Sequence, residues 1–245
     1  SRSKTDSWEN WGTCKKNNHC QGHMTSKNPF MDIRNKVALI TGSSRGVGRS
    51  VAQQLAARGC RVVINHRDSE DQAQETLGWI ESHGGKAIIL RADVSEESAC
   101  RSLVNQTIAH WGQLDILINN AATTNFLRFD DLDALTEDHW DRVLQTNVKA
   151  PFYMVRAARR WLEASTEGGE IIHITSIAGM TGNGSSLAYC ASKAALINMT
   201  LSMARILAPK IRVNAVAPGF IADQWTQQGL GERYGTAVQT HTQKA

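Results

Sequence analysis

The sequence is poor in several features, and each shortage narrows what the chain can be. No run of lysine or arginine exceeds two residues, and the formal net charge of +4 is spread over 245 residues. Nothing here builds the dense basic patch that nucleic-acid binding requires. No apolar stretch approaches the roughly 18 residues that suggest a membrane span, and the N-terminus lacks the apolar core of a secretory signal. The cysteines (Cys14, Cys20, Cys60, Cys100 and Cys190) are odd in number and scattered. That argues against a disulfide framework and for a reducing, cytoplasmic setting. What is present is a globular composition, 41% hydrophobic and 20% charged. The length suits one large α/β domain.

Residues 1–35 differ from the rest: they are polar, rich in Asn, Lys and Ser, and without sustained apolar periodicity. They read as a disordered or artificially added extension, with Met24 or Met31 as a natural start. Cys14, His19, Cys20 and His23 are zinc-type ligands, but the adjacent His19-Cys20 pair fits no common ligand spacing. No metal site is expected.

From Lys36 to the end, at residue 245, the chain reads as one domain without internal repeats. Short β-branched runs recur at "VALIT" (37–41), "RVVIN" (61–65), "KAIILR" (86–91), "DILIN" (115–119), "EIIHITS" (170–176) and "IRVNAV" (211–216). Between them lie segments of helical period, such as "GRSVAQQLAARG" and "EESACRSLVNQTIAHWG". The runs are mostly apolar throughout, as parallel strands buried on both faces would be. Strand–helix repetition predicts a doubly wound α/β sheet with ligands at the C-terminal edge of its strands.

One turn on that edge is "TGSSRGVG" (41–48), which follows a strand run and opens a helical segment. That context marks a dinucleotide phosphate loop, although the spacing Gly42-x-x-x-Gly46-x-Gly48 is not G-x-G-x-x-G. Gly42 allows a tight turn, Gly46 a close backbone approach to a pyrophosphate, and Gly48 close helix–strand packing. The N–H groups at the helix start, with Ser44, Arg45 and Val47 among them, would face the phosphates. An NAD site usually has an acidic residue at the end of the second strand for the ribose 2′-hydroxyl. Here that end reads Asn65-His66-Arg67, and the first carboxylate, Asp68, comes later. Arg45 and Arg67 would favour a 2′-phosphate. The reading is therefore NADP(H) in preference to NAD(H), with exposed loop arginines as the alternative.

A second constellation sits in "SSLAYCASKAALINMTLSMARILAP", where Tyr189 and Lys193 stand at i and i+4 on one helical face. A cation one turn away lowers the pKa of a phenol and makes it usable as a general acid toward a carbonyl. Ser176, thirteen residues before Tyr189, can hydrogen-bond the reacting oxygen, and Asn147 lies in the preceding helical segment "QTNVKAPF". Cys190 points about 100° away from Tyr189 and reads as packing.

Taken together, TGSSRGVG, "ADV" (92–94), "NNAA" (119–122), Asn147, Ser176, Tyr189-x-x-x-Lys193 and "VNAVAPGFI" (213–221) strongly resemble the short-chain dehydrogenase/reductase family. The likeness runs from about Lys36 to about Tyr234, and within the family it is greatest to bacterial-type 3-oxoacyl-carrier-protein reductases. The resemblance implies a Rossmann-like sheet and an oxidoreductase that transfers hydride between nicotinamide and a carbonyl or secondary alcohol, such as a 3-oxoacyl thioester. It implies that Tyr189 protonates the substrate oxygen, Ser176 orients it, and Lys193 lowers the tyrosine pKa and holds the nicotinamide ribose. Asn147 would support a water in a proton relay. His66, Arg67, Asp93 and Val94 would surround the adenosine, Asn120 and Ala121 the middle of the cofactor, and Pro218, Gly219 and Ile221 the nicotinamide. A homotetramer or dimer is implied as well.

Three departures from the family pattern stand out. Ala122 replaces the usual glycine of Asn-Asn-Ala-Gly, and Asp223 stands where a threonine often meets the nicotinamide carboxamide. Relatives also continue into a further helix and a last strand, whereas this chain stops at "THTQKA". Truncation would leave "IRVNAV" as an exposed sheet edge, so a cofactor-binding but non-catalytic homologue is the alternative reading. Trp225 and Tyr234 are candidates for a lid over the substrate, or are plain surface aromatics. Arg156, Arg159 and Arg160 either attract an acidic carrier protein or belong to a solvated or subunit-facing helix.

Overall fold

The computed structural model describes residues 32–242, so Cys14, His19, Cys20 and His23 lie outside the described residues. Six strands, β1 (Val37–Ile40), β2 (Arg61–His66), β3 (Lys86–Arg91), β4 (Ile116–Asn119), β5 (Gly169–Ile174) and β6 (Ile211–Val216), form one sheet. All neighbours are parallel, in the order β3-β2-β1-β4-β5-β6. This is the doubly wound order, in which the chain reverses direction across the sheet between β1 and β4 and opens a crevice at their C-terminal ends.

Burial explains the strand composition. β1 and β4 are buried at every position, whereas β3 and β6 expose part of their length. Burial on both faces, expected for the mostly apolar runs, therefore holds for β1, β4 and nearly all of β2, while β5 alternates buried with half-buried residues, and β3 and β6 are the edge strands among the described residues. Val37, Leu39, Val63, Leu117, Ile171 and Ile211 form one core face. Against it pack Leu103 and Val104 of α3 (Glu97–Trp111), and Met154, Ala158 and Leu162 of α5 (Ala150–Glu163). The alternate residues Ala38, Ile40, Val62 and Ile64 are equally buried and belong to the opposite face. There α1 (Gly46–Ala57) and α2 (Glu70–Ser82) return the chain.

The end of the sheet away from the crevice is pinned by a buried carboxylate. Asp115 accepts hydrogen bonds from the Val37 amide (2.8 Å), Gln113 (2.7 Å) and Ser165 (2.7 Å), and lies 3.7 Å from Lys36 Nζ. Ahead of β1, the Asn35 amide donates to the Gly59 carbonyl at 2.8 Å. The remaining helices, α4 (Glu137–Leu144), α6 (Ala178–Thr181), α7 (Leu187–Leu207), α8 (Gln224–Leu230) and α9 (Tyr234–Thr242), surround the crevice or follow β6. No helix among the described residues is long and apolar enough to cross a membrane.

Candidate active site

A cleft of about 940 Å³ opens along the C-terminal ends of the strands, from the glycine turn after β1 to α7 and α8. The turn at its floor is held rigid from both sides. Asn65 Oδ1 accepts from the Gly42 amide at 3.1 Å, while Asn65 Nδ2 donates to the carbonyls of Leu90 (3.2 Å) and Ala92 (3.1 Å). From the other side, Asn120 Nδ2 donates to the carbonyls of Thr41 and Gly42, both at 2.9 Å. Thr41 Oγ1 accepts from the amides of Asn120 and Ala121, both at 3.0 Å.

This geometry dictates the glycines. Gly42 and Gly46 sit at φ +62° and +57°, and a Cβ on Gly42 would meet Ala121 Cα at 3.0 Å. A Cβ on Gly48 would lie 2.6 Å from both Asn120 Nδ2 and the Gly42 carbonyl, so Gly48 serves packing and does not line the cleft. Gly42, Ser44, Arg45, Gly46 and Val47 do line it, and Arg45 is the N-cap of α1 with extended backbone. The unpaired N–H groups of the first turn of α1 and its positive dipole end therefore belong to the cleft, the arrangement an anionic group fits.

At the far end of β2, the structure separates two residues that the sequence had grouped. His66 is buried, and its Nδ1 accepts from the Ser69 amide at 3.2 Å. Its Nε2 lies 2.8 Å from Glu70 Oε2 without hydrogen-bond geometry. Arg67 is exposed: Nε donates to Asp68 at 2.5 Å, and Nη1 lies 3.8 Å from Asp93. Arg91, unremarked in the sequence, donates to the Arg67 carbonyl at 2.9 Å and lies 3.8 Å from Asp68. The hydrogen bond to Asp68 is the main reason that the Arg67 pKa is raised. Asp93 and Val94 complete this end of the cleft.

At the other end Ser176, Tyr189 and Lys193 all line the cleft. Ser186 caps α7, accepting from the Tyr189 amide at 3.2 Å, and so sets the register that puts Tyr189 and Lys193 on one face. Lys193 is almost fully buried; its Nζ donates to the Ile174 carbonyl at 2.8 Å and lies 5.6 Å from the Tyr189 ring centroid. Burial pushes its pKa down to about 8. The expected depression of the tyrosine pKa is not what this structure has: burial raises it, and interaction with the Ser176 hydroxyl only partly offsets that. Desolvation of the phenolate is the dominant cause.

Asn147 lies in a π-helical turn, Gln145–Lys149, between α4 and α5. The wider turn is a common device at functional sites. Here it delivers Asn147 to a buried position behind the cleft. Its side chain accepts from the Thr123 amide (2.8 Å) and donates to the Thr123 carbonyl (2.9 Å) and to Ser192 Oγ (3.0 Å). Ser192 in turn donates to the Tyr189 carbonyl at 2.7 Å, linking Asn147 to α7. Ser192 was missed in the sequence, where it is one more small residue inside a helix.

Residues 36–232 match the family model described as short chain dehydrogenase. The chain belongs to that family. A 3-oxoacyl-acyl-carrier-protein reductase FabG from Staphylococcus aureus is 38% identical over 192 residues, 78% of this chain and 76% of its own. A Streptomyces violaceoruber protein named as a ketoacyl reductase of granaticin polyketide synthase is 41% identical over 191 residues, 78% of this chain and 75% of its own. A solved short-chain dehydrogenase/reductase structure from Burkholderia xenovorans superposes with a TM-score of 0.76 at 35% identity, over 81% of this chain and 82% of that one. This short-chain dehydrogenase is thus an oxidoreductase of a family that uses nicotinamide cofactors.

The Tyr189 end of the cleft is roofed by residues that follow β6. Pro218, Gly219 and Ile221 line the cleft, as does Trp225 at the start of α8. The Trp225 ring meets Phe126 edge to face, 5.7 Å between centroids. Tyr234, the other lid candidate, begins α9 and is not part of the lining. Arg156 pairs with Glu97 at 2.6 Å, Arg159 with Glu163 at 2.7 Å, and Arg160 stacks over Trp161, so all three are satisfied locally. Among the described residues no group of three metal-type ligands converges.

Proposed function

We propose that this short-chain dehydrogenase is an NADP(H)-dependent carbonyl reductase, with 3-oxoacyl thioesters as its leading substrate class. The observation that carries the reading is the position of Ser176, Tyr189 and Lys193 at one end of the cleft whose other end is the glycine turn. The residues fit a dinucleotide: Gly42 and Gly46 keep the floor free of side chains, and the first turn of α1 offers N–H donors to a pyrophosphate. Arg45 and Arg67, with Arg91 behind, support a 2′-phosphate in preference to a bare hydroxyl. Bound there, the nicotinamide supplies the hydride. Tyr189 donates the proton to the carbonyl oxygen, and Ser176 holds that oxygen by a hydrogen bond. Lys193 holds cofactor ribose hydroxyls, and its lowered pKa lets it re-protonate the phenol near neutral pH. The thioester class is supported by the names of two relatives.

A homo-oligomer and a cytoplasmic setting belong to the same reading. Exposed apolar side chains on the outer faces of α5 and α7 (Phe152, Leu201 and Ile206) support the first, and the free buried thiols of Cys60, Cys100 and Cys190 fit the second.

Fluorescence titration and steady-state kinetics test the proposal. NADPH should bind at least about tenfold tighter than NADH, a difference of one charge-assisted contact. Wild-type protein should oxidise NADPH with acetoacetyl thioesters. Tyr189→Phe should lose at least about 100-fold in turnover while keeping its NADPH affinity. Retained turnover in the variant, or tighter NADH binding, contradicts the proposal.

A further inference from the structure

Asp223 is the family departure that the reaction scheme leaves unused, and its surroundings give it a role. It is the N-cap of α8: Oδ1 accepts from the Thr226 amide at 2.9 Å and from Thr226 Oγ1 at 3.0 Å, and Thr226 Oγ1 accepts from the Asp223 amide at 3.1 Å. The other oxygen, Oδ2, faces the glycine turn, where a carbon added at Gly46 would meet it at 3.4 Å. Gly46 is the first residue of α1. One carboxylate therefore serves two helix starts, capping α8 with one oxygen and presenting its charge to α1 with the other. Both placements are favourable, because a carboxylate near a helix N-terminus is stabilised by the aligned peptide dipoles.

We propose that Asp223 is the residue that sets this protein's dinucleotide affinity, by standing in for the pyrophosphate at the start of α1. The inference rests on the dinucleotide reading of the glycine turn. From this position the carboxylate latches α8 to the start of α1. A pyrophosphate brought to the same N–H groups meets a like charge, so Asp223 and the start of α8 must withdraw as the cofactor enters. A neutral serine, threonine or asparagine at this position would cap α8 and leave the phosphate seat uncontested. With aspartate, part of the cofactor's binding energy is spent on displacing the latch.

The experiment compares wild-type protein with Asp223→Ser and Asp223→Asn, both of which keep an N-cap oxygen for α8 and remove the charge. NADPH titration followed by fluorescence gives Kd, and amide hydrogen exchange reports on residues 224–230 with and without NADPH. The expected result is NADPH binding at least about fivefold tighter in both variants. Wild-type α8 amides should exchange faster once NADPH is added, while the variants should exchange fast from the outset. Unchanged or weaker NADPH binding in both variants, with measurable binding by wild type, overturns the latch and leaves the dinucleotide reading standing. Absence of NADPH binding in all three proteins overturns the dinucleotide reading and the latch with it.

Discussion

His173 shows how a single buried group can carry a consequence for the pH at which the protein stands. It sits on β5, fully buried, opposite Asn119 of β4, with Asn119 Nδ2 3.2 Å from its Nδ1. Its other nitrogen, Nε2, has no hydrogen-bond partner among the described residues. Burial, aided by the charge of Lys193, pushes its pKa down from 6.5 to about 4. The unfolded chain therefore takes up a proton below pH 6.5 that the folded protein refuses until about pH 4, so stability falls as pH drops through that window. The full shift corresponds to about 3 kcal/mol, of which roughly 2 kcal/mol is lost by pH 5. Urea unfolding at pH 7 and pH 5 should show that loss in wild type and a loss smaller by about 2 kcal/mol in His173→Asn. Equal losses in the two proteins would remove His173 from the explanation.

The elements that hold the cleft differ in how visible they were in the sequence. The glycine turn, the Tyr189/Lys193 pair and Ser176 were legible because each is a local pattern: a strand end before a helix start, or two residues one turn apart. Asn65, Ser192 and the Ile174 carbonyl were not, because their partners come from other elements and are chosen only when strands and helices assemble. The π-helical turn at Asn147 had one local signal, Pro151 in "QTNVKAPF", which has no N–H to donate to the carbonyl of residue 147. The packing of α8 on Phe126 belongs to the class of Asn65 and Ser192. A Cβ on Gly229 of α8 would fall 1.9 Å from Phe126 Cε2, so the helix reaches the Phe126 ring only because that residue has no side chain. Gly229→Ala should unseat α8 from Phe126 and raise amide exchange in residues 224–230 at least about tenfold, with little change in global stability. Unchanged exchange would show that the ring simply yields.

At the scale of the whole molecule, the sheet has β3 and β6 as its edges among the described residues. β6 has β5 on one side and no strand on the other among the described residues, and Val216 is 52% exposed. On the same side of the molecule α7 packs against β6 and exposes Leu201 and Ile206. If those side chains meet another copy, sedimentation velocity should find a species larger than a monomer. Ile206→Glu should shift it toward monomer without lowering the melting temperature by more than about 4 °C. A monomeric wild-type protein would contradict the proposed assembly. The fold also divides the molecule into a part that is finished and a part that is adjustable. Asn65, on β2, ties the glycine turn to the end of β3 and to Ala92 just beyond it, so the turn is ordered by the protein itself. Each backbone residue left free there would cost about 1–2 kcal/mol to immobilise on binding. The entropy and heat-capacity changes that calorimetry records for ligand entry should therefore arise in the roof formed by α8 and α9, with the seat itself contributing almost none.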